Sequence, residues 1–177
     1  MTIPSRQSVP LNVISNSRTF FITSSIFEKR SLLQADRCAA LFVDVLFHYR
    51  DDGKYLLHEF VVMPNHFHLL ITLDCRMTVE RAVQFIKGGF AFRAGRELGF
   101  RPPVWQKGFS EVRILSPEAY SRSREYIHDN PVTRHLVTCP EAFRFSSASG
   151  KWQLDPVPQG LKPSPYAVPA DTAKAVS

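Results

Sequence analysis

The residues best suited to chemistry stand at the mouth of an apolar run. In Met63-Pro64-Asn65-His66-Phe67-His68 two histidines lie two positions apart, and Leu69-Leu70-Ile71-Thr72-Leu73 follow at once. A strand has a period of two, so His66 and His68 share one face while Phe67, Leu69 and Ile71 share the other. Two imidazoles held side by side on a sheet have the spacing that a divalent metal ion can use. Alone, such a pair is more often two ordinary strand histidines than a metal site. A second spacing stands out in Arg124-Glu125-Tyr126-Ile127-His128-Asp129-Asn130-Pro131-Val132. Tyr126 and Asn130 are four residues apart, which puts them on one helix face, about one turn from each other.

The elements that must position these groups can be read in turn. Arg18 to Ile26 (RTFFITSSI) is rich in aromatic and β-branched residues and predicts a first strand. Ser31 is the expected cap of a helix from Leu32 to about Tyr49, closed by Asp51-Asp52-Gly53. Tyr55 to Met63 predicts a second strand and His66 to Leu73 a third, the two forming an antiparallel hairpin broken at Pro64-Asn65. Thr78 is the expected cap of a second long helix. Gly88-Gly89 lies inside it, at a cost of ~1 kcal/mol per glycine that a close backbone approach or a kink would explain. A short strand is expected around Glu111–Leu115. Ser116-Pro117-Glu118 then has the cap, first-turn proline and first-turn acid of a third helix. That helix is expected to run to about Asp129 and stop at Asn130-Pro131.

This pattern fits a small α+β sandwich, an antiparallel sheet with helices packed on it. The 177 residues, 44% hydrophobic with 14 Phe, suit one domain with a real core. Residues 1–17 read as a flexible arm and 18–150 as the domain. Residues 151–177, with five prolines and no apolar periodicity, read as a disordered tail.

The net charge of +6 favours polyanions, nucleic acid or an acidic membrane face, without choosing between them. Cys38, Cys75 and Cys139 are odd in number and form no CxxC pair, so neither a zinc knuckle nor a disulfide framework is expected. Cysteine usage, the absence of a signal-like start and the lack of a run near the ~18 apolar residues of a membrane helix point to a cytoplasmic chain with no membrane partner.

The strings MPNHFHLLI, VWQKGFSE and EYIHDNPV, in this order and spacing, resemble the Y1 (single-tyrosine) HUH transposases. The resemblance is greatest to the REP-associated tyrosine transposases of the IS200-like group and runs from about Arg18 to Ser149. It implies a ferredoxin-like fold with the histidine pair on a central strand. His66 and His68 would be metal ligands, Tyr126 the nucleophile, and Asn130 the amide that completes the site. His128 and Asp129 are alternatives for that third ligand, but they lie about 200° and 300° around the helix from Tyr126, whereas Asn130 returns to about 40°. The chain departs from the family at Val112, in a segment where members often carry a histidine.

The implied activity is transposition: metal-dependent cleavage and rejoining of single-stranded DNA through a 5′-phosphotyrosine, with Mg²⁺ or Mn²⁺ as cofactor. Two imidazoles lean toward Mn²⁺ as the tighter binder. The implied partner is single-stranded or hairpin DNA, REP-like in the nearest branch, and the chain would act as a monomer or a homodimer. Between Arg76 and Arg144, twelve Lys/Arg face seven Asp/Glu. Candidate DNA contacts are Lys87, Arg93, Gln106, Lys107, Arg113, Arg122 and Arg124, with Trp105 and Phe109 able to stack on unpaired bases or to join the core. The competing reading is a domesticated hairpin-binding protein for DNA or RNA that keeps the fold and no longer cuts. A water-using phosphoesterase is weaker, since no general base is evident near His66.

Overall fold

The β-branched and aromatic run Arg18–Ser25 forms β1, as its composition predicts. In the computed structural model, which describes residues 17–159 and 161, it is followed by α1 (Asp36–Asp51), β2 (Leu56–Met63) and β3 (His66–Leu73). Then come α2 (Val79–Leu98), β4 (Ser110–Ile114) and α3 (Pro117–Thr133). The strands lie in the order β2-β3-β1-β4, and every neighbouring pair is antiparallel. This is the expected α+β class: a ferredoxin-like βαββαβ unit with a further helix after it. β3, with the two histidines, is an interior strand.

The period of two divides the sheet into two faces. Phe67, Leu69 and Ile71 point into the larger core, where α1 and α2 bring Phe42, Leu46, Ile86 and Phe90. Leu70 points the other way, into a smaller cluster with Val61, Met63 and Ile114, which α3 covers with Tyr120 and Ile127. The histidines therefore lie beneath α3, the helix that carries Tyr126 and Asn130.

Three expected boundaries move. The α1 helix starts at Asp36, not at Leu32, because the preceding turn is held elsewhere: the Leu33 N–H donates to Pro64 O at 2.9 Å, tying it to the β2–β3 turn. The α3 helix does not stop at Asn130-Pro131. It runs on to Thr133, and the Arg134 N–H returns to Asn130 O at 3.1 Å. Pro131 forfeits a single hydrogen bond near the end of the helix, a loss that burial of Ile127, Asn130 and Pro131 against the sheet outweighs. The boundary expected at Gly150 comes too early. Trp152 stacks on Phe47 at 5.8 Å, Leu154 joins the core, and Asp155 pairs with Arg50 at 2.8 Å and with the Leu57 backbone. The prolines hide this segment from periodicity, yet its large side chains find partners. Residues 160 and 162–177 of the expected tail, and the expected arm apart from Ser17, lie outside the described residues.

The glycine pair in α2 is a close approach at one position only. A Cβ on Gly89 would lie 2.6 Å from Tyr49 Cε2 of α1, whereas Gly88 has nothing within 4 Å.

Candidate active site

The histidine pair is positioned by its neighbours across the sheet. Antiparallel register sets Thr23 of β1 opposite His68, and their side chains bond, Oγ1 to Nδ1, at 2.7 Å. His66 opens β3 just after the hairpin turn, and its Nδ1 lies 2.7 Å from Asn65 Oδ1. A carbonyl oxygen only accepts, so Nδ1 of His66 carries the proton and Nε2 a lone pair. On His68 the Asn130 Nδ2, a donor only, meets Nε2 at 3.3 Å. The neutral ring thus carries its proton on Nδ1, which donates to Thr23. Each imidazole is fixed in orientation and tautomer through its Nδ1, and each keeps Nε2 as the basic nitrogen. This is how metal-binding histidines are usually held.

Electrostatics keep both rings neutral. Burial, aided by the charge of Arg134 and more weakly of Lys29, pushes His66 down to about 4; contact with Asn130 opposes this without closing a hydrogen bond. Burial, the neighbouring His66 and Arg134 push His68 down to about 3. The ring centres are 4.8 Å apart. Neutral imidazoles with a lone pair on Nε2 are the form that binds metals.

The α3 helix brings the other two candidates to the same place. The Tyr126 ring lies edge-on to His68, with centres 5.1 Å apart, and edge-on to Phe21 at 5.8 Å. Phe21 in turn stacks on His68 at 5.4 Å. Tyr126 is 53% exposed, so an incoming group can reach its hydroxyl. One turn on, Asn130 is buried, and its Oδ1 has no hydrogen-bond partner among the described residues. An orphaned buried oxygen costs ~1–3 kcal/mol, a cost that a bound cation would remove. No group of three His, Cys, Asp or Glu among the described residues could hold a metal. A protein-held metal site here would need the amide oxygen of Asn130 beside the Nε2 atoms of His66 and His68.

Beside Tyr126 the helix is clamped to β2. Glu59 accepts from His128 at 2.8 Å and pairs with Arg124 at 3.1 Å. Burial alone would raise the Glu59 carboxyl. Bonds from His128 and Ser147 and the charges of His128 and Arg124 outweigh it and hold the group below the usual carboxylate range. His128 and Arg124 flank Tyr126 in sequence, so this clamp fixes the turn that carries it.

The other expected contacts are scattered. Trp105 is a core residue: its ring packs on Phe42, Phe67 and Phe90, and its indole N–H donates to Lys87 O. Lys87 donates to Gln106 O at 2.9 Å and Gly108 O at 2.7 Å, and burial lowers its pKa. Phe109 packs on the same core. Arg93 pairs with Glu97 and Asp44, and the Gln106 side chain accepts from the Glu28 N–H at 3.4 Å. Trp105, Lys87 and Arg93 belong to the α1–α2 side, across the sheet from the histidines, and Lys107 is exposed. Arg122 and Arg124 remain on the α3 side, whereas Arg113, paired with Phe20 and flanked by Val112 and Ile114, points to the other face of the sheet. Thr23, Asn65, Phe21, Glu59 and Arg134 were not evident as site residues. Arg134 carried a signal, four residues beyond Asn130 on the same helix face; the rest depend on pairing between distant segments.

The sequence model for IS200-like transposases matches residues 19–130. The fold is similar to that of a REP-associated tyrosine transposase solved with a REP hairpin, with a TM-score of 0.62 and 23% identity over 100% of both chains. It is also similar to a crystal structure of a candidate transposase from Deinococcus radiodurans R1, with a TM-score of 0.51 and 18% identity over 72% of this chain and 97% of that one. No curated protein gives a significant match.

Proposed function

Because the chain belongs to the family of IS200-like transposases, we propose that it cuts and rejoins single-stranded DNA through a covalent bond to Tyr126. The observation that carries this reading is the meeting of Tyr126 with His68, under a helix that also delivers Asn130. The phenol and the metal-donor set then address one phosphate.

Tyr126 Oη gives up its proton to solvent and attacks the phosphorus in line with the leaving oxygen. The new Oη–P bond forms as the P–O3′ bond breaks, and O3′ leaves with the electron pair and takes up a proton. The products are a 5′-phosphotyrosine and a free 3′-OH. The phosphoester keeps the energy of the broken link, so an incoming 3′-OH reverses the step without ATP. His66, His68 and Asn130 would hold a Mg²⁺ or Mn²⁺ ion, whose contribution when bound is to neutralise charge on the phosphate. Arg134, close enough to lower both histidines, adds fixed positive charge at the same place. The Glu59 clamp keeps Tyr126 aligned.

Hairpin DNA is the substrate that best fits. The similar fold solved with a REP hairpin supports it, as does the net charge of +6. The test is a denaturing gel of the chain incubated with end-labelled hairpin oligonucleotides in Mn²⁺ or EDTA. A Mn²⁺-dependent band carrying the label downstream of the cut, absent in Tyr126→Phe, is the expected result. Tight hairpin binding with no covalent band would favour a binder that no longer cuts.

A further inference from the structure

We propose that the groove between β4 and α3, next to Tyr126, seats one unpaired nucleotide adjoining the cut bond and so helps to choose the sequence that is cut. This rests on the nuclease reading above. The open groove offers about 320 Å³, the small end of ligand-sized clefts, which suits one nucleotide. Its floor is apolar. Phe21 and Val112 are directly paired across β1 and β4, so their side chains rise from the same face. Its wall is a stripe of α3: Ala119, Arg122 and Tyr126, at three- and four-residue spacing.

Two features tie the groove to the chemistry. Tyr126 belongs to both places, and Phe21 touches both Tyr126 and His68. A ligand on Phe21 therefore lies within a side chain's reach of the attacking hydroxyl. The chemistry of the lining also selects a nucleotide. Val112 is 58% exposed, an open apolar surface beside an aromatic ring, which a base can cover by stacking. Arg122 lines the groove from α3 and forms no ion pair among the described residues, unlike Arg50, Arg93 and Arg124. No carboxylate lines it. A flat apolar floor with an unpaired guanidinium group at its side complements a base and its phosphate together. Phosphate contacts position a strand and base contacts specify it, so the groove supplies both parts.

The test uses the full chain and hairpin oligonucleotides carrying 4-thiothymidine at each unpaired position beside the stem in turn. Photocrosslinking is done in Tyr126→Phe, so it does not depend on cutting. One position is expected to crosslink to Phe21 or to Ser110–Ile114. In the capture assay with that position randomised, Val112→Phe and Arg122→Ala are each expected to change the relative preference among bases by about tenfold. Both sites are open enough for the variants to fold, which a melting curve checks. Crosslinks confined to other segments, or unchanged base preference in both variants, would overturn the proposal. So would a Val112→Phe effect on self-association alone. If the unaltered chain captures no DNA, the nuclease reading falls, and the crosslinks alone then decide whether the groove holds a nucleotide.

Discussion

The Tyr126 ring packs edge-on against the His68 imidazole, with ring centres 5.1 Å apart and planes at 76°. The contact joins a helix to an interior strand, and it uses the ring of the tyrosine while leaving the hydroxyl to react. Tyr126→Phe keeps both ring contacts, to His68 and to Phe21. Stability should stay within about 0.5 kcal/mol of the unaltered chain. Hairpin affinity, followed by fluorescence anisotropy, should hold, while covalent capture disappears. Capture surviving in Tyr126→Phe would remove Tyr126 from the chemistry.

The orphaned Asn130 Oδ1 and the two Nε2 lone pairs make a prediction about metal that needs no DNA. At a free Mn²⁺ concentration about 100-fold above its dissociation constant, binding adds ~2.7 kcal/mol to stability. For a chain of this length, each kcal/mol raises the melting temperature by about 2–4 °C. Calorimetry with Mn²⁺ and with EDTA should show that rise. His68→Ala should abolish it, and Asn130→Ala should reduce it. An equal rise in all three chains would place the metal elsewhere.

The clamp beside Tyr126 can be weakened without touching the metal donors. Glu59 is 7% exposed, and His128 shares its burial more than Arg124, whose side chain is 54% exposed. The Arg124 arm is therefore largely screened by water, and the His128 arm carries more of the effect. Glu59→Gln should lower stability by about 1–3 kcal/mol in urea unfolding, since a buried charged acceptor is lost and its donors are left underpaired. Capture should slow as well, because Arg124 and His128 bracket Tyr126. Unchanged stability would mean that the clamp is ornamental to the helix.

Which parts of this were legible follows from the range of the interaction involved. The period of two in His66–Leu73 assigned the faces correctly, because alternation is local and one face had to be apolar. The Tyr126–Asn130 spacing survived for the same reason. The end of α3 was misjudged because Pro131 was weighed by its local preference, while burial of Ile127 and Asn130 against the sheet decided the outcome. For Trp105 the sequence leaves base stacking and the core both open, and Lys87 reads as a DNA contact on its charge. Only the packing of the 104–108 loop against α2 shows the indole and the ammonium spent on backbone carbonyls. Thr23 behind His68 was invisible, since only sheet register over 45 residues brings them together.

The segment after Gly150 offers the last prediction. Asp155 and Arg50 have side chains only 7% and 8% exposed, and the carboxylate also accepts from the Leu57 N–H at 2.9 Å. Burial by itself would raise the Asp155 carboxyl. The Arg50 and Leu57 hydrogen bonds and the Arg50 charge win, so its pKa lies below the usual value. A depressed folded pKa means that the folded state binds fewer protons than the unfolded one. The stabilisation is therefore complete above the unfolded value, near ~3.9, and is lost as pH falls through the folded value. Asp155→Asn leaves the buried Arg50 with only the exposed carboxylate of Asp51, 3.3 Å away, so the loss should approach but not exceed the about 3–5 kcal/mol of a fully broken buried pair. Unfolding curves at neutral pH should show that loss. As pH falls below ~4 the unaltered chain should lose stability more steeply than Asp155→Asn, so that the gap between them narrows. A gap constant down to strong acid would show that the loss does not come from the Asp155 charge, and no gap at neutral pH would show that Trp152 and Leu154 hold the segment unaided.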